Sequence, residues 1–413
     1  MQLYGFVLGK NMELSLAEIF SYFRTRRIKF AIEDMGDDFV LLSSETAVDV
    51  KDFGGVIKIV KIVDKLGKID LLDKTDPQKL FDLQGGVEVG EPPSTDKVDG
   101  LGVENPVSVN KVEFGVSLYG STNIKLVEDV ASKIKNQLRE AGIKSNYMVS
   151  TERPFLTHVE VIKRGLQEIV LFLSETDYYV GKTIGVHNPF EFQKRDVGRP
   201  EQRAILSIPP RLCKIMINFL GLKGGLVLDP FCGIGTIIQE AALAGYRIKG
   251  MDIDRECVVA ARKNLEWLEK EYKIRIPEID RTVFKGDVKN LTSYFSKHSV
   301  DGIVAEPYLG PPVRGVPTPN FAKNIIQRIE PMYDAFFYQA SIILKPGRRI
   351  CIVTPKFRTG KYTVGMNLKF MLKKYGFKPV DPLPQEIAHQ YPYTDAEERH
   401  KIIREINILE KTK

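Results

Sequence analysis

The chain has 413 residues, 43% hydrophobic and 27% charged, the balance of a globular protein with material for two or three domains. No apolar run approaches the ~20 residues that cross a bilayer, and Met1–Leu8 lacks the parts of a signal peptide, so membrane and secreted classes are excluded and a cytoplasmic location is expected. A net charge of +7 suits a polyanion partner, while four scattered cysteines and five histidines without ligand spacing argue against a disulfide framework and predict no metal site.

Along the chain, Leu3–Leu8 reads as a strand. Ser15 and Glu18 have the spacing of a capping box, opening a helix with Leu16, Ile19, Phe20 and Phe23 on one face. Together they predict a small ferredoxin-like α/β unit over residues 1–65. A second, α+β module is expected over 66–178. There the strands Val112–Leu118 and Glu168–Leu173 flank an amphipathic helix, Ile124–Ala141, with Val127, Ala131, Ile134 and Leu138 at the helical repeat. Residues 84–106 contain G-G, G-E-P-P and D-G without periodicity and read as a flexible insertion. Residues 179–206 read as a linker, and its cations Lys194, Arg195 and Arg199 lie where a polyanion crossing two domains would pass.

From about 207 to 413, strands and helices alternate as a mostly parallel sheet requires, which makes this part α/β. The informative stretch is Leu226–Thr236, L-V-L-D-P-F-C-G-I-G-T. A short apolar strand ends on Asp229, and Gly233 and Gly235 then turn the chain into a helix at Thr236. It is not the G-x-G-x-x-G of a dinucleotide site. The form D-x-x-x-G-x-G places a carboxylate beside the amino-acid end of a ligand, which points to S-adenosylmethionine, with Phe231 in the same loop. A second strand, Tyr246–Met251, ends at Asp252, where a ribose diol is held; Asp254 is the runner-up, and either acid could instead cap the next helix. After a third strand, Thr282–Phe284, Asp287 can accept from the adenine amine with Val288 against the ring.

Strand four, Gly302–Ala305, ends in Glu306-Pro307-Tyr308. An aromatic amine is a poor nucleophile because its lone pair is delocalised into the ring. An acidic side chain and the next backbone carbonyl can bind both N–H groups and turn the lone pair toward a methyl donor, while an aromatic ring stacks on the base. Glu306, Pro307 and Tyr308 are therefore the candidate catalytic residues. Phe321–Leu344 is expected to be helical, Arg349–Thr354 a fifth strand, and Lys401–Leu409 a strand in an antiparallel edge hairpin.

Asp229–Thr236 and Glu306–Gly310 resemble the amino-methyltransferase domain of the archaeal and eukaryotic tRNA guanosine-N2 methyltransferases that act at position 10 of tRNA. The likeness continues in R-D-V-G-R-P (Arg195–Pro200), in I-P-P-R-L-C-K-I-M-I-N (Ile208–Asn218) and in G-K-N-M-E-L-S-L-A-E-I (Gly9–Ile19). F-G-V-S-L-Y-G (Phe114–Gly120) is similar to a strand of the RNA-binding THUMP domain. The resemblance implies an S-adenosylmethionine-dependent Rossmann-like methyltransferase acting on tRNA, with Lys194, Arg195 and Arg199 as RNA contacts. It departs from the family's usual D-P-P-Y-G, since this chain has Glu306-Pro307-Tyr308-Leu309-Gly310. That departure leaves two other readings in view: a non-catalytic RNA-binding protein on a drifted fold, or an amino-methyltransferase for adenine or a protein glutamine. The oligomeric state is left open, with a monomer favoured.

Overall fold

The structure, a computed structural model, describes residues 1–68, 70–81, 111–202, 208–360, 362–396 and 400–412. The insertion expected at 84–106 lies outside the described residues. The chain forms two compact units: Met1–Met12 with Ile28–Asp52 and Val56–Pro189, and Glu13–Arg27 with Phe53–Gly55 and Phe190–Lys413. Among the described residues no helix is long and apolar enough to cross a membrane.

The first unit is built on one eight-stranded sheet. Its strands are β1 (Gln2–Leu8), β2 (Phe30–Met35), β3 (Phe39–Ser44), β4 (Val56–Gly67), β5 (Lys111–Tyr119), β6 (Lys144–Met148), β7 (Gln167–Leu173) and β8 (Asp177–Val186). They run in the order β2-β3-β1-β4-β8-β7-β5-β6. β4 pairs with β1 on one side and β8 on the other, so the strands assigned to 1–65 and to 66–178 share one ladder instead of forming two modules. The linker expected from 179 is also corrected, because most of β8 lies within it. Its glycines, which look like linker residues, serve close packing: a Cβ on Gly181 would come within 2.6 Å of the Lys61 carbonyl oxygen. The helix Ile124–Glu140 forms as its periodicity predicts, buries Val127, Val130, Ala131, Ile134 and Leu138, and is capped by Asn123, whose side chain accepts from Leu126 N. Inside the sheet, the fully buried Lys58 donates to Glu168 and to the Leu156 carbonyl, and Glu168 also accepts from Ser117 and Thr183. A charge so deep requires this many partners.

The second unit carries β9 (Leu226–Asp229), β10 (Arg247–Asp252), β11 (Val283–Lys285), β12 (Val300–Ala305), β13 (Leu344–Arg358), β14 (Thr363–Gly365), β15 (Phe377–Pro379), β16 (Tyr393–Asp395) and β17 (Ile402–Lys411). The sheet order is β11-β10-β9-β12-β13-β17-β15, with β14 on β13 and β16 on β17. β11 to β13 are parallel along this order, and β17 is antiparallel to β13, β15 and β16. The expected antiparallel C-terminal strand is present, with β15 outside it at the edge. The chain leaves β9 toward β10 and β11, then returns to its other side as β12. Ligands bind at such a reversal, beyond the carboxyl ends of the strands. The helix Pro319–Ile343 buries Tyr333, Phe336, Phe337 and Ala340 and contributes to the core beneath this end.

The N-terminal helix, Met12–Arg26, corrects one local expectation. It begins before Ser15, and Ser15 and Glu18 are interior, buried positions, not a capping box. Ser15 Oγ donates to the Gly55 carbonyl at 3.0 Å. The Glu18 carboxylate accepts from Gly54 N (2.8 Å), Gly55 N (2.7 Å) and Asn218 Nδ2 (2.7 Å). A polar pair at that spacing has two local solutions, and here distant donors decide against the cap.

Candidate active site

The predicted loop follows β9 closely. Asp229 ends the strand with 1% of its surface exposed and accepts one hydrogen bond, from Phe231 N at 3.0 Å. Burial raises its carboxyl well above the usual range, and the negative charges of Asp252 and Glu306 add to this. Asp229 thus lies within electrostatic reach of two further acids. Gly233 and Gly235 both have left-handed backbone, φ +50° and +93°. A Cβ on Gly233 would meet nothing within 4 Å, whereas one on Gly235 would sit 3.2 Å from Ala261 Cβ. Glycine at 233 therefore leaves room outward, and glycine at 235 lets two helices approach.

Asp252, at the end of β10, grips the loop: Oδ2 accepts from Gly233 N at 2.8 Å and Oδ1 from Asp254 N at 2.9 Å. Asp254 is the N-cap of the helix Arg255–Tyr272, its side chain accepting from Glu256 N, so the capping role left open by the sequence falls to Asp254. Asp287 caps the short 3-10 turn Val288–Ser293 through Lys289 N, and Val288 is buried beside it. Phe231 packs against Phe336 with ring centroids 5.8 Å apart. Thr236 is buried, and its hydroxyl accepts from Arg199 at 2.7 Å, so that side chain is engaged inside the unit. A cleft of about 730 Å³ lies beside the loop, lined by Ile234, Ile253, Asp254, Val259, Lys263 and Lys285 among others. Ile253, missed by the sequence reading, is 66% exposed immediately after Asp252, as an apolar wall for a planar ligand would be. Its signal was an apolar residue set between two acids at a strand end.

On the other side of β9, Glu306 follows β12. Its side chain is 12% exposed, and its Oε1 accepts from Arg404 Nε at 2.6 Å. Burial raises the Glu306 carboxyl, while the Arg404 charge and hydrogen bond oppose that shift. Pro307 is buried and Tyr308 is 51% exposed, so the loop offers an acceptor at depth and an aromatic ring at the rim. The turn ends at Gly310, φ +110°, where a Cβ would press on Ile325 at 2.8 Å. Asp229, Asp252 and Glu306 are brought together; Asp287 stands at the neighbouring strand end.

The cations proposed for RNA are not all available. Arg195 is buried and bonded to Glu240 (Nε–Oε1, 2.5 Å), with Tyr272 and the Glu191 carbonyl as further partners. Arg199 is buried against Thr236. Both expectations are corrected: a guanidinium enclosed by its own protein cannot reach a phosphate. Lys194 remains half-exposed, paired with Glu271.

Residues 200–367 match the UPF0020 family, described as RMKL-like, methyltransferase domain. This part of the chain is similar to that methyltransferase domain. A tRNA (guanine(10)-N2)-dimethyltransferase of Methanothermobacter thermautotrophicus is 33% identical over 163 residues, 38% of this chain and 43% of that protein. The chain thus spans less than half the length of that relative. An enzyme of the same name from Methanocaldococcus jannaschii is 24% identical over 318 residues, 74% of this chain and 82% of that protein. The solved structure of TrmN from Thermus thermophilus covers 99% of both chains with a TM-score of 0.51 at 15% identity, which shows a shared fold.

Proposed function

We propose that the protein is a cytoplasmic S-adenosylmethionine-dependent methyltransferase that modifies the exocyclic N2 amine of guanosine in tRNA. The observation that carries this reading is the placement of Glu306-Pro307-Tyr308 across the sheet reversal from the Asp229–Gly235 loop. A methyl donor on one side and an amine acceptor site on the other then meet at one point.

The residues fit the donor. Among the described residues Asp229 is a buried carboxylate that accepts from Phe231 N, which suits it to an α-ammonium group. The open side of Gly233 leaves room for the ligand, Asp252 suits a ribose diol, and Ile253, Val288 and Asp287 suit the faces and the amine of adenine. S-adenosylmethionine supplies a methyl group on a sulfonium, a good leaving group. Glu306 and the Pro307 carbonyl accept the two N–H groups of the target amine, and Tyr308 stacks on the base once it is swung out of its helix. With the donor bound there, its methyl C–S bond would be exchanged for the new N–C bond, a neutral thioether would leave, and the amine would release one proton to water.

The likeness of Phe114–Gly120 to a THUMP strand assigns RNA recognition to the first unit. On the methyltransferase unit, Arg314 and Arg358 take the phosphate-binding role that Arg195 and Arg199 cannot. Arg314 is exposed, Arg358 is partly exposed, and the Arg358 Nε has no hydrogen-bond partner among the described residues. Both flank the strand-four loop: a Cβ on Gly310 would approach Phe357, and one on Gly360 would approach Val316.

Digestion and nucleoside mass spectrometry of tRNA from cells with and without the gene tests the function. Loss of N2-methylated guanosine is the expected result. Loss of a methylated adenosine would move the target base, and an unchanged profile would remove the tRNA assignment.

A further inference from the structure

We infer that Arg404 is a positioning residue for the amine-binding carboxylate: it fixes one oxygen of Glu306 and leaves the other directed at the substrate. The inference rests on the amino-methyltransferase reading of this strand end and names a residue outside every motif that supports it.

The geometry is specific. Arg404 lies on β17, opposite Pro355 of β13 and opposite Asp395 of β16. Its Nε donates to Glu306 Oε1 at 2.6 Å, and its Nη1 stands 3.6 Å from Asp395 Oδ2. The guanidinium is therefore held between two carboxylates, with its side chain only 20% exposed. It reaches past β13, the strand that separates β17 from β12. A planar guanidinium pinned on two sides is a rigid support, and charge-assisted bonds of this kind are the strong ones.

The charges around Glu306 explain why support is needed. Asp229 faces it from β9, Tyr333 from the helix Pro319–Ile343, Cys213 from the helix Pro210–Phe219, and Asp395 from β16. The Tyr333 hydroxyl is committed to the Val353 carbonyl. Arg404 is thus the cation that opposes burial and the neighbouring acids. Without it, burial would push the Glu306 carboxyl further up, and a protonated carboxyl is a weaker acceptor for an amine.

The pair also accounts for the glutamate in place of the family's usual aspartate. An aspartate is shorter by one methylene, about 1.5 Å of reach, and at 306 it would fall short of Arg404. Glutamate at 306 and arginine at 404 read as a matched set: the longer side chain is tolerable because its far end is anchored.

The test uses the full-length protein. Carboxyl-carbon NMR of Glu306, assigned by its disappearance in Glu306→Gln, should show the titration of Arg404→Gln moved upward by about one pH unit or more, as loss of a close opposite charge requires. Turnover at neutral pH should fall roughly ten- to hundred-fold, the acidic limb of the rate profile should move upward in step, and S-adenosylmethionine affinity by calorimetry should stay within about twofold. Arg404→Lys keeps the charge and should keep the limb while losing part of the rate; it also serves if Arg404→Gln does not fold. In a Glu306→Asp background, Arg404→Gln should cost far less, because the bond is already gone. An unmoved titration and limb in Arg404→Gln, or a moved limb in Arg404→Lys, would overturn the inference. If the wild-type protein methylates no RNA amine, the functional reading fails, while the NMR titration still decides whether Arg404 controls Glu306.

Discussion

The Asn218 side-chain amide donates to the Glu18 carboxylate at 2.7 Å, joining positions 200 residues apart in the chain. Gly54 N and Gly55 N donate to the same fully buried group, and burial still pushes its carboxyl from 4.5 up to about 6. The folded protein therefore binds this proton more tightly than the unfolded chain does. The resulting stabilisation is complete below pH 4.5 and is lost as pH rises through about 6. A shift of that size is worth about 2 kcal/mol. Urea unfolding across this range should show the component, and Glu18→Gln should abolish it while lowering stability at neutral pH, because an amide cannot accept from every donor present. An identical pH slope in the variant would remove Glu18 as its source.

The same contact predicts how the chain tolerates cutting. Residues 13–27 and 53–55 belong to the second unit. A fragment starting at 207 would leave Asn218 without Glu18 and Ser21, Arg211 without the Gly54 carbonyl, and the Pro382 carbonyl without Arg24. Each lost hydrogen bond contributes about 0.5–1.5 kcal/mol net, against a typical total stability of about 5–15 kcal/mol. The fragment 207–413 is expected to melt without cooperativity in near-ultraviolet circular dichroism, whereas the full chain melts sharply. A cooperative, well-packed fragment would show that the N-terminal helix is dispensable.

What the sequence disclosed follows from range. The loop Asp229–Thr236, the acids at 252, 254 and 287 and the helix Ile124–Glu140 are specified by residues a few positions apart, and they fold where periodicity and glycine spacing place them. Arg195 was misjudged because its partner Glu240 lies 45 positions on, on another helix, and a charge seen alone looks solvated. Ser15 and Glu18 mimic a cap for the same reason. β8 falls largely within the segment expected to be a linker, and its Gly181 and Gly185 are sites of tight packing. Arg404 stands in I-I-R-E-I-N-I-L beside Glu405 and Asn407, where nothing local marks it, and its partner lies 98 positions away.

Substitution in the glycine loop separates ligand space from backbone space. Gly233→Val adds a side chain where the protein has no atoms within 4 Å, at a left-handed φ that costs on the order of 1–3 kcal/mol. The variant should remain folded and lose S-adenosylmethionine binding by calorimetry. Gly235→Val should lower the melting temperature further, since its Cβ also meets Ala261 at 3.2 Å. Unchanged affinity in Gly233→Val would displace the donor site from this loop.

The surface cations divide in the same manner. Arg314→Ala and Arg358→Ala should each weaken tRNA binding and reduce the slope of log affinity against log salt by about one, the value for one lost phosphate contact. Arg195→Ala should instead destabilise the fold by roughly 3–5 kcal/mol, because it strands the buried Glu240. A reduced salt slope for Arg195→Ala with normal stability would reverse the assignment.

Glu306 and Tyr308 act at different depths, and their variants should differ accordingly. Glu306 is an almost enclosed acceptor, whereas Tyr308 is a half-exposed ring at the rim. Glu306→Ala removes an acceptor used while charge develops on the amine, so turnover should fall on the order of a hundred-fold or more with donor affinity nearly unchanged. Tyr308→Ala should raise the tRNA KM and lower turnover less than Tyr308→Asp, since a small apolar wall still borders the base whereas a carboxylate there repels phosphate and resists stacking. Glu306→Asp is the informative control. It restores the residue usual in the resembling family but gives up the Arg404 bond, so it should be slower than the wild type. A faster aspartate variant would mean that the glutamate is a weakened form of the motif, and a rate indifferent to all four changes would place the chemistry elsewhere.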